Sequence, residues 1–206
     1  MARPTPEELP PTRWSLTAAE QRGYGANFAR LVDAGEDVDG EARLADALLP
    51  RGGRVVDVGS GMGRVAAALQ ARGHRVLATE PDPALREQSL ATYPHLTVLP
   101  HEALALDPRE HGGADLVVAV GNVMVYLGEG TERAVLGRLR ELLADGGRVL
   151  VGFHPDAVAP GSRCYPPEEF VADAHAAGLA VEHRFGSYEL HPPAADYAVF
   201  VLSARG

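Results

Sequence analysis

Val55-Val56-Asp57-Val58-Gly59-Ser60-Gly61-Met62-Gly63-Arg64 reads as a buried β-strand running into a glycine-rich turn at the start of a helix. Valines at successive positions suit a strand covered on both faces. The glycines let backbone amides approach a ligand closely at a helix N-terminus. Their spacing is G-x-G-x-G, whereas the dinucleotide fingerprint G-x-G-x-x-G puts its third glycine one position later, where Arg64 stands. A nicotinamide-dependent oxidoreductase is therefore the weaker reading. Asp57 precedes the first glycine by two residues. A carboxylate there can anchor the ammonium end of an amino-acid ligand, directly or through water, and would do nothing for a pyrophosphate.

Outward from this turn, apolar runs of strand length alternate with amphipathic stretches of helix length, the pattern of a parallel sheet covered by helices. Strands are predicted at Arg54 to Val58, Arg75 to Thr79, Leu96 to Leu99, Asp115 to Val120 and Arg148 to Phe153. Met62 to Arg72 reads as a helix ended by Gly73, and Asp82-Pro83 as the N-cap and first position of the next. Val135, Leu136, Leu139, Leu142 and Leu143 stripe a further helix closed by Gly146-Gly147. Beyond Phe153, a helix over Pro167 to Ala177 precedes strands at Leu179 to Phe185 and Tyr197 to Leu202 with no helix between them, which implies an antiparallel pair. The expectation is a doubly wound α/β fold: a mixed sheet, mostly parallel with an antiparallel C-terminal strand, helices on both faces, and ligands at the carboxyl edge of its strands.

Upstream, Met1 to about residue 15 reads as a flexible tail, because Pro4, Pro6, Pro10 and Pro11 deny it a regular hydrogen-bond ladder. Residues 16–206 are expected to form one domain, with a helical lid at about 16–50. Thr17-Ala-Ala-Glu20 has the spacing of a capping box, with a break expected where Gly23 and Gly25 flank Tyr24. A second lid helix is expected over Asp39 to Leu49.

A chain of 206 residues with 46% apolar side chains fits one α/β domain. A net charge of −9 and the lack of any Lys and Arg run argue against a nucleic-acid partner. The single cysteine, Cys164, has no companions for a disulfide or a metal, and no metal is expected. The proline- and acid-rich N-terminus lacks the order of a signal peptide and no apolar run is long enough for a bilayer, so a cytoplasmic protein without a membrane partner is expected, as monomer or homodimer.

Val55 to Arg64 resembles the first motif of the class I S-adenosylmethionine-dependent methyltransferases of the small bacterial type, and the strand order matches that Rossmann-like family from about Asp39 to the C-terminus. The resemblance implies a donor site for S-adenosylmethionine in which Asp57, Gly59, Ser60, Gly61, Gly63 and Arg64 form the turn. It places Glu80, followed by Pro81, at the end of the second strand, where an acid holds the ribose hydroxyls; a carboxylate can accept both protons of a diol. Glu102, with Ala103, falls near the end of the third strand, the position facing adenine, although an aspartate is usual there. Gly121 and Asn122 end the fourth strand, beneath the methionine part of the cofactor and beside the acceptor. Leu142 to Leu150 resembles the family's helix-to-glycine-turn feature before the fifth strand.

The implied activity is methyl transfer to a small-molecule acceptor, at oxygen or nitrogen, since so few residues flank the sheet. The alternatives are a non-catalytic S-adenosylmethionine-binding protein and, behind it, the oxidoreductase. On the acceptor side His154, Tyr24 and Asn122 are the candidate catalytic residues. His154 follows the fifth strand and is either a proton acceptor or a hydrogen-bonded loop histidine. Tyr24 either closes over the cofactor or is an ordinary aromatic, and Tyr126 has the same standing. Arg64 either joins the donor site or partners an acid.

Overall fold

The structure, a computed structural model, describes residues 9–205. Seven strands form one sheet in the order β3-β2-β1-β4-β5-β7-β6. They are β1 (Arg54–Val58), β2 (Arg75–Thr79), β3 (Val98–Leu99), β4 (Ala114–Ala119), β5 (Leu143–Phe153), β6 (Leu179–Phe185) and β7 (Ala198–Ala204). Neighbouring strands from β3 through β5 pair in parallel, and β7 is antiparallel to both β5 and β6.

Side chains alternate across the sheet with period two. Val56, Val117, Val151 and Phe200 face one apolar layer together with Leu136 and Leu139 of α7 (Glu132–Glu141) and Phe170 of α8 (Pro167–Ala176). Val55, Leu116, Val118 and Leu150 face the other, packed by Leu44 of α3 (Gly40–Leu48) and by Val65 and Leu69 of α4 (Arg64–Ala71). The switch point, where the order departs left and right from β1 and β4, opens at the carboxyl ends of the strands.

The structure departs from the sequence expectation in several places. The antiparallel C-terminal strand expected from the sequence is β7, and it lies inside the sheet, buried along most of its length beside β5, while β6, with its exposed middle, takes the edge. The more apolar of the two C-terminal strands thus gains cover on both sides. β5 starts at Leu143 rather than Arg148, because Gly146-Gly147 forms an irregularity within the strand: Ala114 pairs with Leu143 but Leu116 pairs with Arg148. Leu96 lies outside β3 and packs with Ala66 and Ala78.

The N-terminal expectation changes most. Residues 1–8 lie outside the described residues, but 9–15 do not behave as a tail. A one-turn helix α1 (Arg13–Leu16) is capped by Thr12, which also bridges to Gly128. Thr17 does not start a helix; its hydroxyl donates to the Arg13 carbonyl at 2.9 Å and closes α1. The chain then turns as far as Gly23 (φ +86°), and α2 (Tyr24–Asp33) begins there, at the expected break. α5 (Pro83–Thr92) has the expected Asp82 cap, and a short α6 spans Pro108–His111.

Candidate functional site

The carboxyl ends of β1, β2 and β4 open into a cavity of about 1160 Å³, mouth included, that the N-terminal segment covers. Asp57 lies at its base. It is 1% exposed, its carboxylate receives the Ala66 amide, and Oδ2 has no hydrogen-bond partner. Burial pushes its pKa up to about 7, with Arg64 pulling the other way and Glu80 adding to the rise. A buried carboxylate oxygen without a donor is costly unless a ligand supplies one. The ammonium of an amino acid is such a donor.

Glu80 ends β2 and is 5% exposed. Its Oε2 accepts the Gly61 amide at 2.9 Å and its Oε1 the Asp82 amide at 2.8 Å. Burial lifts this carboxyl to about 7 in spite of those two bonds. Each oxygen keeps accepting capacity for a diol. Between the two acids, Gly59, Ser60 and Gly61 line the cavity, and a Cβ at Gly61 would meet nothing within 4 Å. Gly63 is different, since it faces Leu96 and Ser89 rather than the cavity.

Arg64 lines the cavity and is also an acid's partner. Its guanidinium is paired with Glu41, donates to the Val38 carbonyl at 2.6 Å and lies 5.1 Å from the centre of the Phe28 ring. Pro81, Glu102, Ala103 and Gly121 line the wall. Glu102 is half-buried, and desolvation raises its pKa.

Two of the three acceptor-side candidates fall elsewhere. His154 is not a lining residue: Nδ1 lies 2.7 Å from the Asp196 carbonyl oxygen and the ring stands edge-on to Tyr197 at 4.7 Å. Alternation along β5 explains this, because Phe153 turns into the core and His154 takes the face of Gly152, where Tyr188 and Tyr197 stand. The general-base reading of His154 is thereby corrected. Asn122 does not line the cavity either. Its Oδ1 accepts the His154 amide at 2.8 Å, tying the end of β4 to the end of β5. Tyr24 does line the cavity.

Trp14, which no sequence motif marks, belongs to the cover of the cavity. Its Nε1 donates to Asp82 Oδ2 at 2.6 Å, and its ring meets Tyr24 and Tyr126 edge-on at 5.4 and 5.1 Å. Leu9, Pro10, Thr12 and Phe28 complete the cover. Being the single tryptophan of the chain was the only signal available in the sequence. A buried clasp holds the cover down. Glu132 of α7, 5% exposed, accepts from Arg13 at 3.4 Å and from Arg163 at 2.7 Å. Arg13 also donates to the Leu127 carbonyl at 2.8 Å.

Glu132→Gln should therefore cost about 1–3 kcal/mol of stability, the range for leaving buried charged donors underpaired. It should also speed amide exchange in residues 12–17 and 159–163 together, as hydrogen-exchange mass spectrometry would show. Faster exchange in one segment alone would mean that the two are not held by the same carboxylate.

Among the described residues no group of His, Cys, Asp and Glu is placed to hold a metal ion, and no helix is long and apolar enough to cross a membrane.

The family described as "Methyltransferase domain" matches residues 56–149. No curated protein matches the chain. Among solved structures, a TehB-like SAM-dependent methyltransferase from Corynebacterium glutamicum is 31% identical with a TM-score of 0.80, the match covering 91% of this chain and 100% of that one. The CcbJ methyltransferase from Streptomyces caelestis is 21% identical, TM-score 0.72, covering 81% and 89%. The 1,6-didemethyltoxoflavin-N1-methyltransferase of Burkholderia thailandensis, solved with 1,6-didemethyltoxoflavin and S-adenosylhomocysteine bound, is 19% identical, TM-score 0.63, covering 93% and 90%. The last two establish likeness of fold, and the first, over its whole length, establishes kinship. The chain belongs to the class I S-adenosylmethionine-dependent methyltransferases.

Proposed function

We propose that this methyltransferase transfers the S-adenosylmethionine methyl group to a small-molecule acceptor, at oxygen or nitrogen. The observation that carries the reading is the cavity itself: it is deep, mostly apolar and roofed by the chain's own residues 9–28, with the cover pinned at Glu132 and Asp82. Such a roof leaves room for a compact acceptor and little for a macromolecule. The Burkholderia methyltransferase, which is similar in fold, was solved with the small molecule 1,6-didemethyltoxoflavin bound.

In this reading Asp57 takes the ammonium group of the donor, Glu80 the ribose hydroxyls, and Glu102 and Ala103 stand beside the adenine. Ser60, with a buried hydroxyl lacking a partner, and the open face of Gly61 let the donor lie against the turn. Arg64, already neutralised by Glu41, stays within the set as the wall near Asp57. S-adenosylmethionine supplies an electrophilic methyl group on a sulfonium. The protein's share is to align the acceptor in line with that bond and to exclude water.

A pH dependence follows. Asp57 and Glu80 titrate at about 7 in the fold, above their ordinary values of 3.8 and 4.5. The unfolded chain releases these protons first, so the stability these two carboxyls contribute to the ligand-free fold is full below about pH 4, is lost as pH rises through 7 and levels off beyond. Donor affinity has the opposite slope, since the ammonium needs an ionised Asp57. Calorimetry should show the donor dissociation constant falling between about pH 6 and about pH 8. A flat profile would remove Asp57 as the ammonium partner.

The acceptor reading is tested by incubating the protein and S-adenosylmethionine with a panel of small hydroxy- and amino-bearing aromatic and heteroaromatic compounds, alongside peptides and nucleic acids, and reading release of S-adenosylhomocysteine. Turnover confined to small molecules is expected. Turnover confined to macromolecules, or donor binding without any turnover, would overturn it.

A further inference from the structure

The donor is cationic at sulfur and its product, S-adenosylhomocysteine, is neutral there. We propose that the aromatic box of Trp14, Tyr24 and Tyr126 reads this charge, so that the protein holds the donor more tightly than the product relative to the same site without the box. The inference rests on the donor-site reading above. Trp14 stands near-perpendicular to both tyrosines, at interplanar angles of 80° and 86°, so the three rings line the cavity in different orientations rather than stacked on one another. Phe28 extends the row 5.2 Å beyond Tyr24, but its ring already carries the Arg64 guanidinium.

Placement along the cavity supports the assignment. The ammonium and ribose ends of the donor are assigned to Asp57 and Glu80, so the sulfonium lies between them. Tyr24 lines the same cavity as Asp57 and Glu80, and its ring touches that of Trp14 and that of Phe28, which carries the Arg64 guanidinium. The Arg64 cation would oppose a sulfonium, and its pairing with Glu41 removes most of that opposition. A ring face attracts a desolvated cation and gains nothing from a thioether of the same shape. When the methyl group leaves, the sulfur takes up the bonding pair, its charge disappears and this attraction goes with it.

The Trp14 indole N–H is already engaged by Asp82, which fixes the ring in place. Pre-set rings need no reordering on binding, which preserves their contribution.

The test measures dissociation constants of S-adenosylmethionine, S-adenosylhomocysteine and sinefungin by calorimetry for the wild type, Tyr24→Phe, Tyr24→Leu and Tyr126→Leu. Sinefungin carries an amine in place of the methylsulfonium and serves as the second cation. The product-to-donor ratio of dissociation constants should fall about three- to thirtyfold in each leucine variant. Tyr24→Phe, which keeps the ring, should retain it, and sinefungin should follow the donor. A ratio within twofold of wild type in both leucine variants, with binding otherwise intact, would overturn the charge-reading role and leave the donor site standing. Loss of the ratio in Tyr24→Phe would also overturn it, by assigning the effect to the hydroxyl. Failure of the wild type to bind either adenosyl ligand would remove the donor site itself.

Discussion

Asp57→Asn is expected to weaken S-adenosylmethionine binding by about tenfold to a thousandfold at pH 8, while the ligand-free protein becomes no less stable. The two effects have opposite signs because they have different causes. In the ligand-free fold Asp57 is a fully buried carboxyl with an unpartnered Oδ2, pushed up to about 7 by desolvation. A neutral amide of the same shape removes the cost of ionising that group. With ligand present the carboxylate becomes the partner of a cation, and asparagine cannot replace it. Calorimetric titration and urea denaturation of the ligand-free protein measure the two effects separately. Parallel loss of affinity and stability would make Asp57 a structural residue alone.

Gly63→Ala should destabilise the fold by about 2–5 kcal/mol, from left-handed backbone strain together with overpacking. Gly63 has φ +86°, and a Cβ there would lie 2.5 Å from Leu96 Cδ2 and 2.6 Å from Ser89 Oγ. Both neighbours are buried and have little room to give. Gly61→Ala makes the informative contrast. Its φ of +59° brings the backbone strain, but its Cβ would enter open cavity. The expected loss is about 1–2 kcal/mol of stability with a much larger loss of donor affinity. Chemical denaturation and titration of both variants should separate the glycine that supports the helix from the glycine that makes room for the ligand. Equal stability losses would mean that the spacing serves the turn only.

The parts of the site that were legible in the sequence are those set by local chain geometry. The valine run and glycine spacing fix β1 and the turn, and Glu80 follows because an acid at the end of the next strand returns to the same sheet edge. The cover was not legible, because its contacts join distant residues: Trp14 reaches Asp82 and Arg13 reaches Glu132. These bonds override the local signal at Thr17, whose spacing suits a helix start but whose hydroxyl is engaged by α1. His154 was misplaced for a related reason. Alternation along β5 requires it to oppose Phe153, but the packing of Tyr188 and Tyr197 decides that its face is not the cavity face. Likewise, the two C-terminal strands could be read as a pair, whereas insertion of β7 beside β5 depends on the unsatisfied edge that β5 presents.

The central claim is that the cavity between Asp57 and Glu80 is a donor site for S-adenosylmethionine. Calorimetric titration of the wild-type protein with S-adenosylmethionine, S-adenosylhomocysteine and a reduced nicotinamide cofactor tests it most directly. The account predicts single-site binding of both adenosyl ligands in the micromolar range, about −8 kcal/mol, and none of the nicotinamide. Binding of the nicotinamide cofactor with no response to either adenosyl ligand would contradict it.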